Sequence, residues 1–353
     1  MRVSVARNLA ELESIVPAWD ALARDALEPN PFYESWMLLP ALRAFGAGED
    51  VRVVLVWQGE RLAGLFPFHQ VARYKGMPAS ALSSWVHVHC LLGTPLVLAG
   101  SASACLEALF AWCDASFLNF RYLPAGQPFH RALSAALAAR GLKVTLDRAW
   151  SRPLLRRNRA AIPAQLQRQF ARKERRLAER GRFERVTLAP GGDVEGWIED
   201  LLRLEARGWK GRKGSAMACT EAQRRFASEI FSGAFRRGRL RMGGLDFDGR
   251  PIGRRSAFLA RDGAYAFKTA YDESMAEFSP GAMLELDTVR EFEANPGLEW
   301  LDSFAEDENL ALDRVQADQR PMESLTVARG AWGGVSAAAL PALRWAKRRL
   351  AFG

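Results

Sequence analysis

The sequence predicts a protein of the α/β (α+β) class with two domains. Its 353 residues are long for one domain and comfortable for two. Stretches with strand-like and helix-like patterns alternate along most of the chain. The clearest part, residues 240–271, is typical of an antiparallel meander, because Asp248-Gly249 and Asp262-Gly263 are two-residue turn signals between strand-forming runs.

The first predicted domain covers residues 1–155. It opens with a helical pattern over residues 9–26, and residues 51–68 look like two consecutive strands. An amphipathic helix over residues 129–140 is closed by Gly141, since glycine suits the left-handed position after a helix. The alternation of strands and helices then pauses, and this pause marks the predicted domain boundary.

The second predicted domain covers residues 156–330. It begins with a basic helix over residues 164–181. The apolar residues Leu166, Phe170 and Leu177 are spaced so that they fall on one face of this helix. The pattern predicts a helix with one buried face.

A further helix follows the meander. Ser279 is a good N-cap residue, and Pro280 is favoured at the first helical position because its missing N–H would be unpaired there anyway. Asn295 and the following Pro-Gly stop this helix, and residues 298–304 look like a last strand. Residues 331–353 are predicted to form a basic amphipathic helix, which could pack on the domain or contact anionic lipid at the membrane surface.

Lys268 is a charged residue inside a strand-like run. If Asp262-Gly263 is the turn, Lys268 pairs with Ala257, and Ala270 lies on the same face. The opposite face would carry Tyr265, Phe267, Thr269 and Tyr271. Arg255 would lie opposite Ala270, and small residues around these two cations would leave room for a ligand beside Lys268.

The positive charge of the chain is concentrated in one segment. The formal net charge is +9, and residues 152–185 alone hold eleven arginines and Lys173 against three glutamates. Such a segment is often a solvated helical face, but it could also bind an anionic ligand between Arg152 and Arg185. We do not expect it to bind DNA.

The cysteine pattern and the apolar stretches indicate a cytoplasmic protein. The four cysteines form no Cys-x-x-Cys pair and are expected to be reduced. The N-terminus does not resemble a signal peptide, and no apolar run is long enough for a transmembrane segment. His87 and His89 have a spacing compatible with a metal but no third ligand, so we expect no metal.

Several short motifs resemble one enzyme family. Residues 266–304, AFKTAYDESMAEFSPGAMLELDTVREFEANPGLEWLDSF, resemble the acyl-CoA-binding half of GNAT-type N-acyltransferases. The chain is most similar to their tandem Fem-like branch, which includes acetyltransferase-domain proteins associated with cellulose and exopolysaccharide synthesis. LEARGWKGRKGSAM, NPFYESW and LLGTPLVL fit the same branch.

The resemblance implies two tandem GNAT-like domains, each a mixed, mostly antiparallel sheet flanked by helices. The second domain would hold acetyl-CoA or another acyl-CoA as co-substrate. Its pyrophosphate would lie at a helix N-terminus, where unpaired N–H groups and the positive end of the helix dipole favour phosphate. The residues concerned are Phe278, Ser279, Pro280, Gly281 and Ala282.

The implied reaction is attack of an amine on an acyl carbonyl. It needs a base, donors for the developing oxyanion and an acid for the leaving group. Asp302 is the first candidate for the base and Glu205 the second, while Lys268 could stabilise negative charge or contact the phosphates of the donor. Tyr271 could protonate the leaving group. Each residue also has an ordinary structural use, in capping, ion pairing or packing.

The sequence therefore predicts an N-acyltransferase with a small-molecule, glycan or peptide amine as acceptor, in polysaccharide or cell-envelope synthesis. One alternative is a Fem-like transferase that takes its acyl group from aminoacyl-tRNA, with the basic segment contacting RNA. Another alternative is a non-catalytic protein that binds nucleic acid or a membrane surface on a GNAT scaffold. The acyl chain, the acceptor and the choice among CoA, carrier protein and tRNA stay open.

Overall fold

The computed structural model describes residues 1–157, 159, 162–305, 315 and 317–329. The helix predicted over residues 331–353 lies outside the described residues. Within the described residues, no helix is long and apolar enough to cross a membrane.

The described chain alternates between strands and helices. The strands are β1 (Arg2–Ala6), β2 (Val51–Gln58), β3 (Arg61–Val71), β4 (Ala81–Ser84), β5 (Leu96–Val97), β6 (Phe117–Pro124), β7 (Lys143–Arg156), β8 (Phe183–Thr187), β9 (Leu240–Phe247), β10 (Arg250–Ala260), β11 (Gly263–Tyr271), β12 (Trp300–Asp302) and β13 (Asp318–Ala328). The helices are α1 (Leu9–Ser14), α2 (Val16–Asp25), α3 (Ser35–Phe45), α4 (Ala102–Trp112), α5 (Pro128–Ala139), α6 (Ala164–Ala178), α7 (Val194–Arg207), α8 (Trp209–Arg212), α9 (Glu221–Arg236) and α10 (Pro280–Ala294). Short 3₁₀ helices cover Pro31–Tyr33 and Glu273–Phe278.

The chain forms two compact units. Unit 1 contains Met1–Ser35, Phe45–Trp150 and the described residues from Pro321 on, and unit 2 contains Trp36–Ala44 and Ser151–Arg320. The chain contributes most of α3 to unit 2, passes into unit 2 again within β7 and returns to unit 1 within β13.

Both units repeat one pattern of strand connections. In unit 1 the strand order is β1-β2-β3-β4-β6-β13, and in unit 2 it is β8-β9-β10-β11-β12-β7. In each unit one internal pair is parallel, β4 with β6 and β11 with β12, and the other neighbours are antiparallel. A helix, α4 or α10, connects each parallel pair, as a parallel crossover requires. This repetition confirms the mixed, mostly antiparallel architecture expected from the sequence.

Helices cover the sheet of unit 2 on both faces. Leu166, Phe170 and Leu177 of α6 are buried, so the predicted apolar face of this helix is confirmed. They pack with the apolar residues of α10 into one core. On the opposite face, Phe231 of α9 packs against Phe258 and Phe267 of the sheet.

The two hairpin turns of the meander differ from each other. Phe247 pairs with Arg250, so Asp248 and Gly249 form the first turn as predicted, both with positive φ. The second prediction is wrong by one position. Ala260 pairs with Gly263, so the turn is Arg261-Asp262.

Gly263 belongs to strand β11 because Trp300 packs directly on it. A Cβ atom at position 263 would lie 1.9 Å from an indole carbon of Trp300. The glycine is therefore required for close approach of a side chain rather than for a turn.

A β-bulge overturns the predicted faces of β11. Ala266 pairs with Ala257, but Lys268 pairs with Ser256, so Phe267 is an extra residue on this strand. The bulge brings Phe267 and Lys268 to the same face. The prediction that Lys268 pairs with Ala257, and that Phe267 shares a face with Thr269 and Tyr271, is wrong for this reason.

Asp302 connects residues of three strands, β7, β12 and β13. Its side chain is fully buried in β12, and its carboxylate accepts hydrogen bonds from Arg152 of β7 (2.9 Å) and from Arg320 of β13 (2.7 Å). The N–H of Phe304 also donates to it, at 2.8 Å. The arrangement fixes the end of β12.

Replacing Asp302 by Asn would remove the buried negative charge that both Arg152 and Arg320 contact. We expect the free energy of unfolding to fall by about 3–5 kcal/mol in urea denaturation, the usual cost of breaking a buried ion pair. Asp318→Asn is the matched control, because Asp318 pairs with the more exposed Arg156 and such pairs contribute about 0–1 kcal/mol. Equal losses in the two variants would contradict the anchoring role of Asp302.

Candidate active site

The candidate site lies where β11 separates from β12. The two strands pair only from Gly263 with Trp300 to Tyr265 with Asp302. Strand β11 then continues to Tyr271, while β12 has ended. The edge of β11 beyond Tyr265 is therefore free of β12 and can receive an extended ligand.

A buried cluster of charged side chains lies on the α7 side of this edge. Nζ of Lys268 is 3.8 Å from Oε1 of Glu205. Nζ of Lys210 donates to the same oxygen at 3.2 Å, and the N–H of Met217 donates to Oε2 at 2.7 Å. The side chain of Glu205 is 1% exposed and that of Lys268 is 13% exposed. The structure thus brings together two of the predicted catalytic residues, Lys268 and Glu205, and adds a second cation, Lys210.

Local sequence features place Glu205 and Lys210 at this position. Helix α7 is capped by Asp193, whose side chain accepts the N–H of Gly196. Glu205 lies on the buried face of α7, beside Leu201 and Leu204. A Cβ atom at Gly211 would be 1.8 Å from a backbone oxygen of α7, so only glycine permits the tight passage into α8 that carries Lys210.

Burial lowers the pKa of Lys268 to about 8. The carboxylate of Glu205 opposes this shift, and the charge of Lys210 adds to it. Lys268 is therefore charged below pH 8 and neutral above it. A lysine with such a pKa can exchange a proton near neutral pH.

Glu285 faces the same strand from the α10 side. Oγ1 of Thr269 lies 3.4 Å from its carboxylate. Burial raises the pKa of Glu285, and the hydrogen bond from Thr269 opposes the shift. Sequence reasoning did not identify Glu285 or Lys210. The signal for Lys210 was its place in the glycine-rich motif LEARGWKGRKGSAM.

Asp302 is not part of the charged cluster. It lies level with Tyr265 on the neighbouring strand, three residues from Lys268 along β11. Its carboxylate is already bound by Arg152 and Arg320. These contacts favour a structural role over the predicted role as base.

The turn before α10 differs in detail from the predicted cap. Ser279 has a left-handed backbone (φ 57°, ψ 54°), and its side chain makes no capping hydrogen bond. The expectation of a side-chain cap is wrong, because such a cap needs an extended backbone. Instead, Nζ of Lys173 on α6 donates to the hydroxyl of Ser279. The uncapped first turn of α10 leaves its N–H groups available to an external acceptor.

The other residues of this turn have mostly structural contacts. The ring of Phe278 is buried beneath Arg176 of α6 and Arg180, which follows that helix. Pro280 is buried, and Ala282 is half-buried against the core. These contacts support the shape of the turn rather than direct binding of a ligand.

Tyr271 occupies the space above Gly281. A Cβ atom at position 281 would lie 2.7 Å from the Tyr271 ring. Gly281 was expected to let a ligand approach the backbone, and here it admits Tyr271 instead. Tyr271 also lines a small cavity with Glu205 and Lys210 of about 20 Å³, room for roughly one water molecule.

The basic segment predicted as an anion site is largely ion-paired. Arg185 contacts Glu174 and Asp287, and Arg180 contacts Glu277. Arg152 forms an ion pair with Asp302. These pairs leave less free positive charge than the composition of the segment indicated.

In the described part of the chain, no group of three His, Cys, Asp or Glu residues could hold a metal ion. His87 stacks on Phe45 with ring centroids 4.6 Å apart. All four cysteines are free thiols.

Part of the chain is similar in sequence to a known domain family. Residues 164–312 match the sequence profile of the acetyltransferase (GNAT) domain. No curated protein is significantly similar to this chain in sequence.

Three solved structures cover nearly the whole chain. A conserved protein of unknown function from Bacteroides thetaiotaomicron is 16% identical and covers 93% of this chain and 100% of its own, with a TM-score of 0.55. The structure of FemX is 11% identical and covers 92% of this chain and 97% of its own, with a TM-score of 0.53. A tandem GNAT protein from the clavulanic acid biosynthesis pathway is 16% identical and covers 93% of this chain and 99% of its own, with a TM-score of 0.44.

At these identities the two matches with TM-scores above 0.5 show the fold alone, and the sequence profile concerns residues of unit 2. Residues 164–312 match the GNAT acetyltransferase domain, which supports an acyltransferase, and both units share one pattern of strand connections.

Proposed function

We propose that the protein transfers an acyl group from acyl-CoA to an amine, with the reaction on the α7 side of β11. The observation that carries this proposal is the buried pair of Lys268 and Glu205, 3.8 Å apart, beside the part of the β11 edge that does not pair with β12. The acyl arm of the donor would lie along that edge. The amine would approach from the side of α7.

In the proposed reaction, neutral Lys268 takes the proton that the amine loses as it attacks the acyl carbonyl. The C–N bond forms, the bond from carbon to the thiolate sulfur breaks, and the thiolate receives a proton. A base works best when its pKa lies near the working pH, and the pKa of Lys268 is about 8. This assignment replaces charge stabilisation as the main role proposed for Lys268.

Glu205 acts as a positioning residue in this proposal. Its carboxylate is bound by Lys210 and by the N–H of Met217, so it is better suited to hold the lysines than to take a proton. Tyr271 lines the same small cavity as Glu205 and stays the candidate proton donor for the leaving thiolate.

The phosphates of the donor would bind at the N-terminus of α10. This helix has fifteen residues and no side-chain cap, so its dipole and its first N–H groups favour an anion. Lys173, on the hydroxyl of Ser279, adds a cation beside the same turn. A glycan or peptide of the cell envelope as acceptor, and a cytoplasmic location, stay predictions from the sequence.

Calorimetric titration tests the donor site. We expect acetyl-CoA to bind the unchanged protein, and Ser279→Asp to weaken binding by about tenfold or more, because its carboxylate would pair with Lys173 and repel phosphate. Ser279→Asn is the matched control, since Asn has the same shape without the charge and tolerates a left-handed backbone.

Equal affinity of the two Ser279 variants would contradict the phosphate site. Absence of acyl-CoA binding by the unchanged protein would contradict the proposal that acyl-CoA is the donor. Salt-sensitive binding of aminoacyl-tRNA would then favour the Fem-like alternative, because phosphate contacts release counterions.

The pH dependence of the rate tests the role of Lys268. We expect kcat/KM to rise as the pH approaches 8, because the neutral form of Lys268 is the base. Both Lys268→Met and Lys268→Arg should lower kcat by about 10²–10⁴-fold, the usual contribution of a general base, since arginine stays protonated.

Glu205→Gln should shift the rise of kcat/KM with pH to lower pH, because the carboxylate of Glu205 raises the pKa of Lys268. This shift separates the titration of Lys268 from that of the amine substrate. An active Lys268→Arg variant would show that the positive charge, and not proton transfer, is what the reaction uses.

A further inference from the structure

Unit 2 contains a second, larger cleft at the end of its sheet. Its volume is about 720 Å³, within the range of small-molecule sites. Helix α7, the start of β10 and the chain after β11 form its walls. Four arginines line it: Arg203, Arg207, Arg212 and Arg250.

Two of these arginines are available to a ligand. Arg203 pairs with Asp200, and Arg212 pairs with Glu273. Arg207 and Arg250 have no ion pair or hydrogen bond among the residues that the structure describes. They come from different elements of the lining, α7 and the start of β10. Two guanidinium groups that line one cleft suit a phosphate or a carboxylate.

The cleft also has an apolar wall. Phe247, Ile252 and Met275 contribute to its lining. A simple solvated patch of arginines would not need such a wall. The combination fits a ligand that carries its anionic group on a larger carbon skeleton.

The cleft adjoins the candidate active site. Leu204, Tyr271 and Glu273 line both the large cleft and the small cavity beside Glu205 and Lys210. A ligand held by Arg207 and Arg250 could therefore extend past Tyr271 toward Glu205. The α10 turn and Lys173, which we assign to the donor phosphates, are not among the residues that line the cleft.

We infer that this cleft binds an anionic group, phosphate or carboxylate, of the amine acceptor. The inference rests on the proposed function, because it takes the cleft as the entry of the acceptor. It narrows the acceptor class from any amine to an amine that carries a negative charge.

A matched pair of amines tests this inference. Glucosamine 6-phosphate and glucosamine differ only in the phosphate, and their affinities can be compared by calorimetry at one fixed ionic strength. We expect the phosphorylated amine to bind at least about tenfold more tightly, because charge-assisted hydrogen bonds to arginine are strong.

The double variant Arg207→Gln with Arg250→Gln should abolish this preference. Arg168→Gln with Arg172→Gln is the matched control, because it removes two exposed charges from α6, which does not line the cleft. The control should keep the preference. All four residues are exposed, so thermal unfolding should be unchanged in both variants.

Acetyl-CoA titration of the same proteins separates the outcomes. The inference is wrong, and the proposed function stands, if acetyl-CoA binds but glucosamine 6-phosphate binds no more tightly than glucosamine. The same holds if the control variant loses the preference for the phosphorylated amine as fully as the cleft variant does. If the cleft variant loses acetyl-CoA binding instead, the cleft holds the phosphates of the donor and the assignment to the acceptor is overturned. If the unchanged protein binds no acetyl-CoA, the proposed function fails, while a preference abolished by the cleft variant would still support anion binding in the cleft.

Discussion

The site of unit 2 depends on one extra residue in strand β11. Without the bulge at Phe267, strict alternation would turn Lys268 toward α10, away from Glu205. With it, Lys268 lies on the same face as Phe267, whose ring packs against Phe231 of α9. The packing of one aromatic ring thus fixes the direction of the neighbouring lysine.

Burial of this lysine has an energetic cost that its neighbours only partly offset. Removing an ammonium group from water disfavours its charged form, and the nearby carboxylate of Glu205 returns part of that loss. Lys210 adds a second positive charge to the same carboxylate. A fully stabilised ion pair would hold Lys268 permanently charged. Because Lys268 shares the one carboxylate with Lys210, both protonation states of Lys268 stay accessible.

The fold could be predicted from the sequence further than the site could. The periodicity of α6 and the Asp248-Gly249 turn were readable because each rests on local rules of spacing and backbone conformation. Gly263 was misread as a turn residue because its role depends on Trp300, which is distant in the sequence. No local pattern indicates such a contact.

The errors within the site have the same physical origin. Lys268 was singled out by its place in a strand-like run and Glu205 by the family resemblance, but their proximity depends on a bulge that no single residue type encodes. Asp302 was expected to act as a base because it ends a strand. Its two arginine partners come from distant parts of the chain, β7 and β13, so its structural engagement could not be anticipated.

The order of the strands also bears on how the protein is made. In unit 1, β6 pairs with β13, a strand that is synthesised after nearly all of unit 2. While the chain emerges from the ribosome, β6 therefore has an open edge until β13 appears, and open edges invite pairing with other chains. In unit 2, by contrast, β7 has already been synthesised when its partner strand β12 is made. The protein thus completes its second unit before it can complete its first.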